Sequence, residues 1–145
     1  MSTATVDSIQ RTVQKTRDWL ADFERELGTD DSAYAWRALS GYLQVLRDRL
    51  TVDEAAELAA QLRQLLRGVF YEGFDPSRQP ERIRDRETFL AKLTQRAQLE
   101  DAPEAARVAA AATRMLRRRI AEGEMEDVLA QLPAEIREVL EGRSS

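Results

Sequence analysis

The sequence predicts an all-α fold: a helical bundle of two three-helix repeats related by a pseudo-two-fold axis, plus a short C-terminal helix. Three observations predict it. Apolar residues recur at three- and four-residue spacing along the chain. There are no period-two runs and no Asn-Gly hairpin signals. The sequence also pairs with itself, without a gap, at a shift of about seventy residues. Leu20-Ala21 falls on Leu90-Ala91, Asp31 on Asp101, and Leu46-Arg47-x-Arg49 on Leu116-Arg117-x-Arg119. Glu54 meets Glu124, Ala60-Gln61-Leu62 meets Ala130-Gln131-Leu132, and Arg67 meets Arg137.

The first helix carries the stripe Ile9, Val13, Thr16, Leu20, Phe23 and Leu27, and Gly28 ends it. Asp30 or Asp31 caps the second, whose stripe is Ala35, Ala38, Leu39, Tyr42, Val45, Leu46 and Leu50. Thr51-Val-Asp-Glu54 is a capping box, in which the Thr hydroxyl and the Glu carboxylate satisfy free N–H groups at the next helix start. The third helix carries Ala55, Leu58, Ala59, Leu62, Leu65, Leu66 and Val69. Whether it bends at Arg63, the position matching Pro133, is left open by the sequence.

Residues 71–80 form the one long irregular segment, because Gly73, Pro76 and Pro80 deny it helix. It joins repeat one, about 3–70, to repeat two, about 81–142. Ile83, Phe89, Leu90, Leu93 and Ala97 make the fourth helix, and Asp101-Ala-Pro-Glu104 caps the fifth, which runs to about Ala121. Gly123-Glu124 opens the sixth, Pro133 breaks the chain, and a last short helix runs through Val139. Residues 1–145 are expected to form a single domain, with Gly142 to Ser145 frayed. The halves differ in side-chain volume. Trp36 and Tyr42 stand where the second half has Ala106 and Ala112, which lets equivalent helices approach closely.

Composition narrows the function. The chain has no Cys, so disulfides and thiolate metal sites are excluded. It has no His, which removes the commonest general base and metal ligand. An enzyme would have to work with carboxylates, hydroxyls, Arg and two lysines, Lys15 and Lys92, so the chain is not expected to be one. No cofactor is expected. The net charge of −4 argues against nucleic acid and anionic membranes as partners. The longest apolar stretch, Val108 to Ala112, is far short of a membrane span, and Met1 to Val6 carries no signal pattern. The expected location is cytoplasmic, and the Arg- and Ala-rich composition suggests a GC-rich bacterial source.

Five groups of residues are weighed as candidate sites. Arg49 and Arg119 project along the apolar stripes of their helices at about 100° per residue. A shielded guanidinium cannot shed its proton, so each should bond to Glu54, Glu124 or helix-end carbonyls, as a lock or as an anion pocket. The Tyr71 to Ser77 loop mixes Tyr71 and Phe74 with Glu72 and Asp75, either as a specific site or as a plug over a helical unit. Trp36 lies off its stripe, where an exposed indole would serve as a partner anchor. Arg107, Arg114, Arg117 and Arg118 form an outward basic face, expected to pair with neighbouring acids. Glu122, Glu124, Glu126 and Asp127 gather at a helix start, where the dipole favours acids, and no metal site is expected there.

Leu46 to Leu50, Val52 to Ala56, Ala60-Gln-Leu62, Arg67 to Ser77, Gly123 to Val128 and Ala130 to Arg137 resemble, in order, the bacterial family called domain of unknown function 2267. Arg63 departs from the family's tendency to place Pro after Gln-Leu. The resemblance implies a small bacterial all-α protein and carries no activity. The expectation is a non-catalytic helical module that binds a protein partner or self-associates as a homodimer. The alternative is a binding protein for a small anionic or apolar ligand between the repeats.

Overall fold

The computed structural model describes residues 3–143, with side chains from Val6 onward. It is all helical, with no strand among the described residues. The helices are α1 (Thr3–Leu27), α2 (Ser32–Asp48), α3 (Val52–Gln61), α4 (Gln64–Tyr71), α5 (Arg86–Ala97), α6 (Ala102–Arg119), α7 (Glu124–Ala130) and α8 (Ala134–Leu140). A single 3-10 turn, Pro76–Arg78, interrupts the long connection.

Local chemistry places the boundaries. Asp31, Thr51, Asp85 and Asp101 each accept a backbone N–H three residues on, which satisfies an orphan donor at a helix start. Helices α1 and α5 end seventy positions apart, at Leu27 and Ala97. The residue after each turns left-handed: Gly28 at φ 80°, Gln98 at φ 56°. At the C-terminal end Gly142, at φ 76°, closes α8, and the Arg143 N–H donates to the Glu138 carbonyl (2.8 Å). The expected fraying therefore does not begin at Gly142. Ser144 and Ser145 lie outside the described residues.

The third predicted helix is two helices. Leu62 and Arg63 are extended, and Arg63 (φ −62°, ψ 152°) takes the same backbone conformation as Pro133 (φ −57°, ψ 151°). Proline is not needed for that conformation, which any residue can adopt. Arg67 stabilises the break: its Nε donates to the Ala59 carbonyl (2.9 Å) and its Nη2 to that of Leu62 (3.2 Å). Arg137 does the same for Leu132 (3.3 Å). Arg63→Pro should therefore be tolerated and raise stability by about 0.4–1 kcal/mol, since it removes freedom only from the unfolded chain. Urea denaturation would show it, and a loss of stability would mean that the Arg63 N–H or side chain has a role.

The packing crosses between halves. Helix α1 lies mainly on α6, and α5 mainly on α2. Helices α2 and α6 form the centre. Tyr42 is fully buried there, its hydroxyl 2.8 Å from Thr113 Oγ1, and Thr113 in turn donates to the Ala109 carbonyl (2.8 Å). Ala109, Ala111 and Ala112 are buried around them, so large residues of one half meet small residues of the other. Gly41 permits the closest approach of α2 to α5: a Cβ there would sit 2.7 Å from the Ala97 Cβ.

One expectation about the core needs correction. The α1 stripe does not bury along its whole length. Thr16, Trp19 and Phe23 are buried, but every residue from Val6 to Arg11 is exposed, and Val13 with them. Periodicity marks which face is apolar; it does not say how far the neighbouring helices extend to cover it.

Candidate functional site

Side chains converge in four places. The first is a groove of about 600 Å³ between α1, α2 and α4, lined by Val13, Leu20, Trp36 and Leu65 with a polar rim that includes Arg17 and Glu24. Trp36 is half-buried, packed against the core on one side and open to the groove on the other. Val13 and Leu65 are 39% and 42% exposed, and the apolar surface continues up α1 through Ile9 (56%) and Val6 (37%). The second half is different at the matching positions. Leu90 matches Leu20, but Ala106 and Glu135 stand where the first half has Trp36 and Leu65, and the Arg86 N–H donates to Glu135 (3.4 Å).

The second place is the junction of α3 and α7. Gln61 Oε1 accepts the Ala121 N–H (3.0 Å), and Gln131 Oε1 lies 3.5 Å from the Thr51 N–H and hydroxyl. Each half thus holds, through a glutamine, the segment that leads into a helix of the other. Between these contacts lie Glu54, Glu57 and Glu124, with one carboxylate oxygen from each within 4.8 Å of the others. Glu54 is buried, and its Oε2 accepts from the Gln131 amide (3.2 Å). Oε1 of Glu54 and Oε1 of Glu124 are both shielded and have no partner. Burial, with Glu124 and Glu57 alongside, pushes the Glu54 carboxyl up to about 8. Three carboxylates set this close, with two shielded oxygens unpartnered, could hold a cation. The sequence pairs Glu54 with Glu124 through the repeat, but assigns them arginine partners they do not have.

Those arginines are elsewhere. Arg49 is the C-cap of α2, and its Nη1 donates to the Glu81 carbonyl. Burial and the nearby Arg84 lower its pKa. Arg119 is largely exposed at the end of α6, where its Nε donates to Asp22 of α1 (3.0 Å). The expected bonds to Glu54, Glu124 or helix-end carbonyls do not form. A stripe computed from an ideal helix loses its meaning at the final residue, where the chain leaves the helix. Asp22 also binds Arg118 (2.7 Å) and Arg25 (3.2 Å), and Glu26 binds Arg114 (2.8 Å) and Arg118 (2.6 Å). Two of the four arginines of the basic face, Arg114 and Arg118, are thereby committed to α1, while Arg117 pairs with Glu126 (3.3 Å).

Burial raises the Asp22 carboxyl, but its hydrogen bonds to Arg118 and Arg119 outweigh this and hold it below its ordinary 3.8. The stability it contributes is present above that value and is lost as pH falls through the lower folded pKa. Asp22→Ala should cost about 1–3 kcal/mol, toward the low end because its arginine partners are partly solvated. Chemical denaturation at pH 7 measures this, and no loss would show that α1 is held by apolar contacts alone.

The residue that sequence reasoning missed is Arg47, 2% exposed at the end of α2. Its Nη1 donates to the carbonyls of Phe70 (2.9 Å) and Glu72 (2.6 Å), and its Nε and Nη2 both donate to Asp48 Oδ1 (2.9 and 2.8 Å). It also lies 5.6 Å from the Phe74 ring centre, a cation–π contact. It thus pins the Tyr71 to Ser77 loop. Tyr71 stacks edge-on to Phe70 and Phe74. Glu72 and Asp75 point to solvent, and Asp75 accepts from the Ser77 N–H (3.0 Å) and hydroxyl (2.6 Å), closing the turn. Arg47 lies three or four positions from both Leu43 and Leu50, and this spacing was the available signal.

Among the described residues no helix is long and apolar enough to cross a membrane. No curated protein matches the chain. The family model described as "Uncharacterized conserved protein (DUF2267)" matches residues 16–141, with the α2–α4 and α6–α8 segments and the Arg47-pinned loop inside the match, and the chain belongs to that family.

Proposed function

We propose that this protein is a non-catalytic, cytoplasmic bacterial module that self-associates as a homodimer through the α1/α2/α4 face. Its two halves arose by duplication and are related by a pseudo-two-fold axis. The matched helix ends, the matched chain breaks at Arg63 and Pro133, and the reciprocal Gln61 and Gln131 contacts support that relation.

The observation that carries the dimer reading is the apolar face itself. Val6, Ile9 and Val13 form an uncovered ridge on α1, and the groove beside it is floored by Leu20, Trp36 and Leu65. Large contiguous apolar patches mark association surfaces. The occupant is a second copy because one patch holds both ridge and groove, as a two-fold interface requires. The rim also holds both signs, with Arg17 beside Asp18 and Glu24, which two-fold copies can pair. The second half lacks the tryptophan and carries Glu135 where the first has Leu65, so the face belongs to one half only.

Leu65→Glu and Ile9→Glu should abolish the dimer while leaving the fold intact, because both side chains are exposed in the monomer. Trp36 emission offers a second readout. On dilution of the wild type it should shift to the red as the groove opens to water, while the buried Trp19 supplies a constant background. Emission unchanged by dilution and by either substitution would remove the reading.

A further inference from the structure

We propose that Glu54, Glu57 and Glu124 bind a hard divalent cation of the calcium and magnesium class, held between α3 and α7. The geometry fits such an ion. One oxygen from each carboxylate lies within 4.8 Å of the other two, inside the span of about 5 Å between oxygens on opposite sides of a calcium ion. All candidate ligands are oxygens, as hard cations require, and the chain offers no His or Cys to favour a softer metal.

A separate observation distinguishes this cluster from an ordinary acidic patch. Glu54 is only 6% exposed, its Oε2 is taken by the Gln131 amide, and its Oε1 is shielded with no hydrogen-bond partner. Oε1 of Glu124 is likewise shielded and unpartnered. Shielded carboxylate oxygens are normally paired, because an uncompensated charge away from water is costly. No basic side chain compensates them: among the described residues no Lys or Arg forms an ion pair with any of the three glutamates, which leaves that role to a proton or a cation. Arg49 serves the Glu81 carbonyl, Arg119 serves Asp22 and Arg117 reaches only Glu126.

A cation here has an entry side and a holding side. Glu57 is exposed and Glu124 half-exposed, so the ion arrives from solvent and keeps part of its water. Glu54 closes the inner side and is oriented by the Gln131 amide, which leaves its Oε1 for the ion. Because Glu54 and Glu57 belong to the first half and Glu124 to the second, an ion joins the halves at a junction that the Gln61 and Gln131 contacts also bridge.

The test is titration of chelator-stripped protein with CaCl2 and, separately, MgCl2 at pH 7.5, by calorimetry and thermal unfolding, with KCl at matched ionic strength as control. At saturation at least one of the two salts should raise Tm by several degrees, as expected for a ligand that binds only the folded state. Glu57→Gln and Glu124→Gln should each weaken binding roughly tenfold or more, in line with the dependence of affinity on ligand charge. Glu57 is exposed, so its variant folds whatever its role, and it keeps the test decisive if Glu124→Gln is poorly folded. No binding heat and no Tm change with either salt at 10 mM, a concentration at which even weak sites fill, would overturn the proposal. So would an equal response in the wild type and Glu57→Gln, which would place the ion elsewhere.

Discussion

Arg47→Ala should destabilise the protein by about 3–5 kcal/mol, the usual cost of breaking a shielded ion pair from one side. The substitution leaves Asp48 without its guanidinium and the carbonyls of Phe70 and Glu72 without a donor, in a part of the chain closed to water. For a domain of this size the melting temperature should fall by roughly 10–15 °C. Arg47→Lys should recover little, because an ammonium cannot meet two carbonyls and a carboxylate in one plane. Arg117, seventy positions on, is the control. It is 40% exposed and pairs with an exposed Glu126, so Arg117→Ala should cost less than about 1 kcal/mol. Equal effects at the two positions would show that the loop is not held by Arg47.

The second large effect is at Glu54, measured in chelator so that no cation intervenes. The carboxyl is raised from its ordinary 4.5 to about 8 in the folded protein, so between those values the folded state binds the extra proton. Stability therefore falls as pH rises through that window, and the loss is complete above about pH 8. Asp22 and Glu26 act in the opposite sense at lower pH, since their arginine partners hold their pKa values down. The maximum of stability should therefore lie near the lower edge of that window, at about pH 4.5, well below neutrality. Glu54→Gln carries no charge and brings an amide that can donate to Glu124. It should raise stability at pH 8.5 by about 1–2 kcal/mol and flatten the profile between pH 5 and 8. A Glu54→Gln profile parallel to that of the wild type would show that Glu54 stays ionised in the folded state.

Much of the fold was legible because its signals are local. A cap such as Asp31, Thr51 or Asp101 acts over three residues, and a stripe such as Ala35 to Leu50 acts over one helix. The break at Arg63 was not legible. The conformation is open to any residue, and the Arg67 side chain that stabilises it declares itself only after the chain has folded back. The arginines show the same limit. Arg47 and Arg49 are two residues apart near a helix end, and the phase of an ideal helix favours Arg49. The structure buries Arg47 because the 71–77 segment arrives on its side, a contact between distant parts of the sequence. Glu54 and Glu124 could be matched through the repeat, yet their approach depends on how α3 meets α7. The exposed half of α1 is similar: its apolar face is written in the sequence, but the lack of a neighbour to cover it is not.

That uncovered face carries the dimer reading. Sedimentation velocity of the wild-type protein, from about 1 to 100 µM, the range in which weak, standard-sized interfaces form, tests it directly. A single reversible shift from monomer to dimer is expected within that range, lost in Leu65→Glu and Ile9→Glu. A wild-type protein that stays monomeric throughout, or a dimer that survives both substitutions, would contradict it.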